Sequence, residues 1–295
     1  MSAVHVTNLT KRYGQVTALD GVSLTIEENS ITGILGRNGA GKTVLMSILT
    51  AQEVPTSGSV RVFGENPREN ASVLSRTCFI RDTQKYPVEF KLRHILGAGP
   101  LFYPHWDARL ADQIVTEFRL SGDRVIRKMS RGQLSAVGLL IGMASRAPLT
   151  FFDEPYLGLD ATARTVFYDM LLADYALHPR TILISTHLID EMESLLERIV
   201  LLDRGRVRKE GSVDDLRSGG WEISGAWAAL EPLLTGRSVL RQKRMGALGM
   251  AIVEAGPELA DDARALGLRA TPSSLHELVA AYGMADRDAT AEVAR

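Results

Sequence analysis

The chain of 295 residues has one cysteine, Cys78, so no internal disulfide can form. Its place in the apolar run Thr77-Cys78-Phe79-Ile80 marks it as a small buried hydrophobe. Long hydrophobic runs are also lacking. The longest nearly apolar stretch, 134–144, is about half the length that crosses a bilayer. The first nine residues alternate polar and apolar and carry no signal-peptide hydrophobic region. We therefore expect a cytoplasmic protein that needs another chain for any work on a membrane. Neither sign of charge is in excess: 34 Lys and Arg face 35 Asp and Glu, a net charge of −1, so bulk electrostatics gives no argument for nucleic acid. Local basic clusters at 204–209 and 241–244 read as solvated loop or hairpin faces. The composition that remains, 45% apolar and 23% charged, is that of an ordinary globular protein with room for one large domain and a small one.

Val4-His5-Val6-Thr7-Asn8-Leu9 alternates as a strand does, and so does Val22-Ser23-Leu24-Thr25-Ile26 after an Asp20-Gly21 turn. Ile31-Thr32-Gly33-Ile34-Leu35 is a short apolar strand that runs into a glycine-rich loop, and 42–50 reads as a helix. Another edge-type strand falls at 60–64, and the apolar spacing is helical from about 92 to 146. Short β-rich runs follow at 149–152, 181–185 and 199–202, with helical stretches at 161–177 and 188–197 and a hairpin closed by Gly205. This alternation predicts a mainly parallel sheet covered on both faces. Composition breaks at Arg217-Ser218-Gly219-Gly220. Beyond it the order is strand (221–224), helix (227–234), hairpin (239–254, turning near Gly246), helix (257–266) and helix (273–282). We expect a large α/β domain over 1–217, with a helical subdomain at about 88–146, and a small α+β domain over 218–295.

Two motifs carry chemistry by themselves. Gly36-Arg37-Asn38-Gly39-Ala40-Gly41-Lys42-Thr43 fits G-x-x-x-x-G-K-[ST] without a mismatch and lies between an expected strand and an expected helix. Its glycines let backbone N–H groups converge on phosphate oxygens at the positive end of a helix dipole. Lys42 is then set to reach the β- and γ-phosphates of ATP, and the Thr43 hydroxyl to ligate Mg²⁺. Leu149-Thr150-Phe151-Phe152-Asp153-Glu154 is an apolar strand ending in two acids. Beside a phosphate loop, Asp153 is read as a Mg²⁺ ligand and Glu154 as the group that orients and deprotonates the attacking water.

Together these motifs resemble the nucleotide-binding subunit of an ATP-binding cassette (ABC) transporter, a P-loop ATPase with a mixed central sheet, an antiparallel β subdomain and a helical subdomain. The resemblance extends over 9–187. Met129-Ser130-Arg131-Gly132-Gln133 resembles the signature motif L-S-G-G-Q, Leu157-Gly158-Leu159-Asp160 the D-loop, and Ser185-Thr186-His187 the strand that ends in the switch histidine. Tyr13, about 23 residues before Gly36, matches the aromatic that stacks on adenine.

The resemblance implies that Gly36, Arg37, Asn38, Gly39, Ala40, Gly41, Lys42, Thr43 and Val44 hold one ATP. It also implies that Ser130, Gly132, Gln133 and Asp160 serve the nucleotide bound by a second protomer. His187 joins Glu154 as a catalytic residue. Two departures stand out. Arg131 replaces the usual glycine, and the Q-loop glutamine position reads Asp82, with Gln84 two residues later; either is a candidate to approach Mg²⁺. Phe102-Tyr103-Pro104-His105-Trp106-Asp107 resembles a stretch found in exporters of antibiotics and bacterial peptides, whose membrane subunits are separate chains. Segment 84–105 is where the family docks that subunit.

The expectation is an ATPase that powers an exporter as a homo- or heterodimer at the inner face of the cell membrane. A non-transport ABC ATPase acting on DNA or ribosomes is the alternative. The single P-loop, the 88 positions between Lys42 and Ser130, and the neutral charge weigh against it. Intact Lys42, Asp153, Glu154 and His187 weigh against a nucleotide sensor without turnover.

Overall fold

A computed structural model describes residues 1–283, so the last twelve residues of the expected C-terminal domain, 284–295, lie outside the described residues. Strands β1 (Ser2–Tyr13) and β2 (Val16–Glu27) form an antiparallel hairpin. With β4 (Ser57–Val62) they make a three-stranded sheet in the order β2-β1-β4. Its alternation buries Val4, Val6, Leu9, Val22, Leu24 and Ile26. Both hairpin strands are longer than their sequence signal. Asp20-Gly21 does not end β2; the register shifts between the Leu9–Val22 and Lys11–Leu19 pairs and absorbs the two residues as a bulge.

The central sheet has the order β5-β6-β7-β3-β8-β9. Its members are β3 (Ile31–Leu35), β5 (Thr77–Arg81), β6 (Leu149–Asp153), β7 (Thr181–Thr186), β8 (Arg198–Asp203) and β9 (Arg206–Ser212). The first five in that order run parallel and β9 returns antiparallel, as the expected hairpin required. β3, β6 and β7 are buried at every position, which is why they read as continuous apolar runs rather than alternating ones. Phe151 and Phe152 show the two faces. The first lies in a core with α1 (Lys42–Leu49) and the antiparallel sheet, where α2 (Ala71–Leu74) contributes Val73.

Phe152 lies in the other core, with the helical subdomain of α3 (Leu92–Phe102), α4 (Ala108–Glu117) and α5 (Arg131–Ala144). The same core takes in α6 (Ala161–Leu177), α7 (Ile189–Met192) and α8 (Val213–Ser218). The helix expected over 188–197 is α7 plus one 3₁₀ turn, Glu193–Leu195. It stops because the Glu197 N–H is drawn into the sheet, donating to the Ile31 carbonyl at 3.0 Å.

Beyond the composition break the chain forms β10 (Gly220–Ala226), α9 (Trp227–Leu234), β11 (Ser238–Met245), β12 (Leu248–Glu254), α10 (Glu258–Ala265), β13 (Arg269–Pro272) and α11 (Leu275–Tyr282). Their sheet order is β11-β12-β10-β13. β13 is an addition to the expected layout: four residues ending in a proline, on the sheet edge where a missing N–H is tolerated. α11 packs against elements from both sides of that break. Leu275 is buried in the large core of the ATPase domain, with Val279 and Tyr282 packed against it, while Leu278 and Ala281 face Leu240 and Ile252.

Candidate active site

The carboxyl ends of three neighbouring parallel strands converge, since Leu35 of β3 pairs with Thr186 of β7 and Asp153 of β6 with Ser185. Ligands of open α/β sheets bind at this edge. The glycine-rich loop leaves β3 there and enters α1 through Gly41, whose φ is +107°. A Cβ on Gly41 would lie 2.7 Å from the Ala18 carbonyl oxygen, so the close approach of loop to β2 requires glycine. Lys42 is 6% exposed and its ammonium donates to the Gly36 carbonyl at 2.7 Å.

The two strand-end acids have different partners. Asp153 accepts the Thr43 hydroxyl on one oxygen at 2.6 Å and the Ser185 hydroxyl on the other at 2.5 Å. Glu154 follows in a left-handed conformation, φ +50°, with its N–H donating to Ser185 Oγ at 3.0 Å. The Glu154 side chain reaches Tyr156 and His187, just beyond the ends of β6 and β7. Its Oε2 lies 2.8 Å from His187 Nδ1 and accepts the Tyr156 phenol. Its Oε1 is buried, accepts no hydrogen bond, and lies 3.4 Å from Lys42 Nζ. A buried carboxylate oxygen at a phosphate loop that accepts no hydrogen bond is chemically able to take a proton from a water placed there. The motifs passed over Tyr156; only its burial, at 1% exposure, singles it out. A cavity of about 270 Å³ adjoins the site, lined by Gly36, Arg37, His187, Asp203, His276 and Val279 among others.

Other expected residues lie apart from this cluster. Tyr13 ends β1 at the tip of the hairpin, half exposed, with Lys11 Nζ 4.7 Å from its ring centroid. Val44 lies in the first turn of α1, half-buried. Ser130 and Gln133 cap α5 reciprocally: Ser130 Oγ accepts the Gln133 N–H at 3.2 Å, and Gln133 Oε1 accepts the Ser130 N–H at 3.1 Å. Gly132 lies against the D-loop, where a Cβ would fall 2.6 Å from the Gly158 carbonyl oxygen, and Asp160 caps α6 through the Ala163 N–H at 2.8 Å. Met129 is buried in the large core, a position that suits leucine equally well.

The two departures from the family pattern meet each other. Arg131 Nη2 donates to both oxygens of Asp82, at 3.0 and 3.2 Å, while Gln84 Oε1 accepts the Arg81 N–H at 3.3 Å. Among the described residues neither Asp82 nor Gln84 hydrogen-bonds to the side chain of Thr43 or Asp153. Asp82 thus faces Arg131, and Gln84 closes its own turn.

A phosphate loop, a strand-end acid pair and a switch histidine on this sheet define a P-loop ATPase cassette. The family model described as ABC transporter matches residues 19–157. The chain is 31% identical over 262 residues to the daunorubicin resistance ATP-binding protein DrrA3 of Streptomyces coeruleorubidus, covering 83% of this chain and 82% of that protein. It is 33% identical over 206 residues to the aliphatic sulfonates import ATP-binding protein SsuB 1 of Nocardia farcinica, covering 69% and 79%. The dimeric structure of the bacterial ABC transporter cassette MJ0796 shares the fold, with a TM-score of 0.62 and 22% identity over 71% of this chain and 98% of that one. The chain belongs to the ABC transporter ATP-binding family and is an ATP-hydrolysing subunit. Among the described residues no helix is long and apolar enough to cross a membrane.

Proposed function

We propose that this subunit powers an exporter, acting as a dimer with a separate polytopic membrane subunit at the inner face of the cell membrane. The observation that carries the hydrolytic part is the convergence of Lys42, Thr43, Asp153, Glu154 and His187 at three strand ends. In this reading Lys42 and the loop N–H groups hold the phosphates, Glu154 takes a proton from the attacking water, and His187 contacts the γ-phosphate. Thr43 and Asp153 offer a hydroxyl and a carboxylate 2.6 Å apart, the hard oxygen donors that suit Mg²⁺, which uses few protein ligands alongside phosphates and water. Bound there, the ion supplies charge neutralisation on the phosphate oxygens.

Dimerisation is supported by the division of the motifs within one chain. Ser130, Gly132 and Gln133 contact their own helix and D-loop rather than their own phosphate loop. They are thereby available to a partner's nucleotide, and MJ0796 is dimeric. Export is supported by the relative named for daunorubicin resistance and by the 102–107 stretch. Val88, Phe90, Leu101 and Phe102 are exposed apolar side chains within the segment expected to dock a membrane subunit. The similarity to an aliphatic sulfonate import protein favours a second reading, import, which the direction of cargo movement in reconstituted vesicles separates from the first. The test of the hydrolytic roles is Glu154→Gln. It should bind ATP, stall hydrolysis and accumulate a dimer on size exclusion with ATP; undiminished turnover would remove Glu154 from its role. For export, the subunit should co-purify with a polytopic membrane protein.

A further inference from the structure

Tyr156 lies two residues beyond Glu154, and its hydroxyl is enclosed by three residues from two strand ends. The Thr186 hydroxyl donates to the phenol oxygen at 2.9 Å and the His187 N–H donates to it at 3.0 Å. Both of its lone pairs are thereby engaged. Its single proton is left for the Glu154 carboxylate, which can only accept. The ring meets the His187 imidazole edge-on, with centroids 5.7 Å apart, and the hydroxyl is 3.1 Å from His187 Nδ1. A buried side chain that served only to fill the core would bring no hydroxyl to satisfy, since phenylalanine fills the same volume without one. Burial also raises the phenol's pKa, so the donor proton stays in place.

We propose that Tyr156 is a positioning residue of the ATPase site, whose phenol fixes the Glu154 carboxylate against His187 at the ends of β6 and β7. The inference rests on Glu154 being the general base. The phenol holds Oε2 and leaves Oε1 directed toward Lys42 and the phosphate position. It also ties the switch histidine's backbone to the base, so the two catalytic side chains keep one separation. A carboxylate freed from this donor would sample other rotamers, and the fraction of time spent in the productive one would fall.

The test compares Tyr156→Phe, Glu154→Gln and the double variant in the full chain. Tyr156→Phe should lower kcat about ten- to a hundredfold, the loss that follows from removing a hydrogen bond to a charged group. KM for ATP, and the affinity for a fluorescent ATP analogue measured without turnover, should stay within about twofold, because phosphate binding does not involve the phenol. In the double variant the second substitution should add nothing to the loss from Glu154→Gln. An inactive Glu154→Gln beside a Tyr156→Phe of unchanged kcat overturns the role of Tyr156 alone. An active Glu154→Gln overturns the general-base reading beneath it. Should Tyr156→Phe fail to fold, Thr186→Val removes one donor that orients the phenol; kcat should then fall with KM steady, and an unchanged kcat overturns the proposal.

Discussion

Replacing Gly132 by alanine sets two opposing effects against each other. Gly132 is the second residue of α5, and alanine in a helix interior is favoured over glycine by up to about 1 kcal/mol, less in a first turn. Against this, the added Cβ would lie 2.6 Å from the Gly158 carbonyl oxygen, a backbone atom that moves only if the D-loop moves. The D-loop is anchored on the same helix, because the Ser135 hydroxyl donates to the Leu157 carbonyl at 2.5 Å, and the Arg131 stem packs on Gly158. Overpacking of this kind costs about 1–3 kcal/mol. The steric effect wins, and Gly132→Ala should be less stable by about 1–2 kcal/mol, a fall of roughly 2–8 °C in Tm for a domain of this size. Thermal unfolding followed by circular dichroism measures it. ATPase activity should fall with it while the affinity of the P-loop for nucleotide is unchanged, since Gly132 touches the D-loop and not Lys42. A variant as stable as the parent, or more so, would show that the D-loop yields freely and that the close contact does not constrain it.

Asp174 pairs with Arg180 at 2.8 Å and with Arg146 at 2.7 Å, all three largely buried. Asp174→Ala should cost about 3 kcal/mol by leaving the buried Arg180 guanidinium without a carboxylate, while Arg146 keeps its pair with Asp107; a loss near zero in urea unfolding would refute this. Asp107 is held below the usual carboxylate range by the Leu110 N–H and by Arg146, so its contribution to stability is present above about pH 4 and is lost as the pH falls further. Asp107→Asn keeps a capping side chain but no charge, so it should be about 1 kcal/mol less stable at pH 7, and the gap should close in acid; a gap independent of pH would refute the assignment. Arg131→Ala should change stability by less than about 1 kcal/mol, because the Arg131–Asp82 pair is largely exposed, and high salt should erase the difference.

What the sequence made legible was local. The phosphate loop, the acids ending β6 and the histidine after β7 are each encoded within a few consecutive residues, and the parallel strands announce themselves as apolar runs because both their faces are covered. What it hid depends on distant pairing. Arg131 and Asp82 are 49 positions apart, and nothing in either segment says that two departures from a pattern neutralise one another. Tyr156 looks like a spacer until β7 brings Thr186 and His187, about 30 positions away, onto its hydroxyl. The Asp20-Gly21 pair has the residues of a turn, yet pairing with β1 both before and after it keeps the strand going. β13 is too short to show a period, and only β10 beside it makes it a strand.

Composition and packing divide the chain at different places. A version cut after Ser218, where composition changes, would remove Leu275, Val279 and Tyr282 from the large core and strip α7 of its cover beside the switch histidine. It would also remove His276, whose ring lies 2.7 Å from Asp190. The truncated cassette would expose a fresh apolar face next to its active site and would tend to aggregate. A minimal soluble ATPase made from this sequence therefore has to retain α11, or carry polar replacements on the surface that α11 covers.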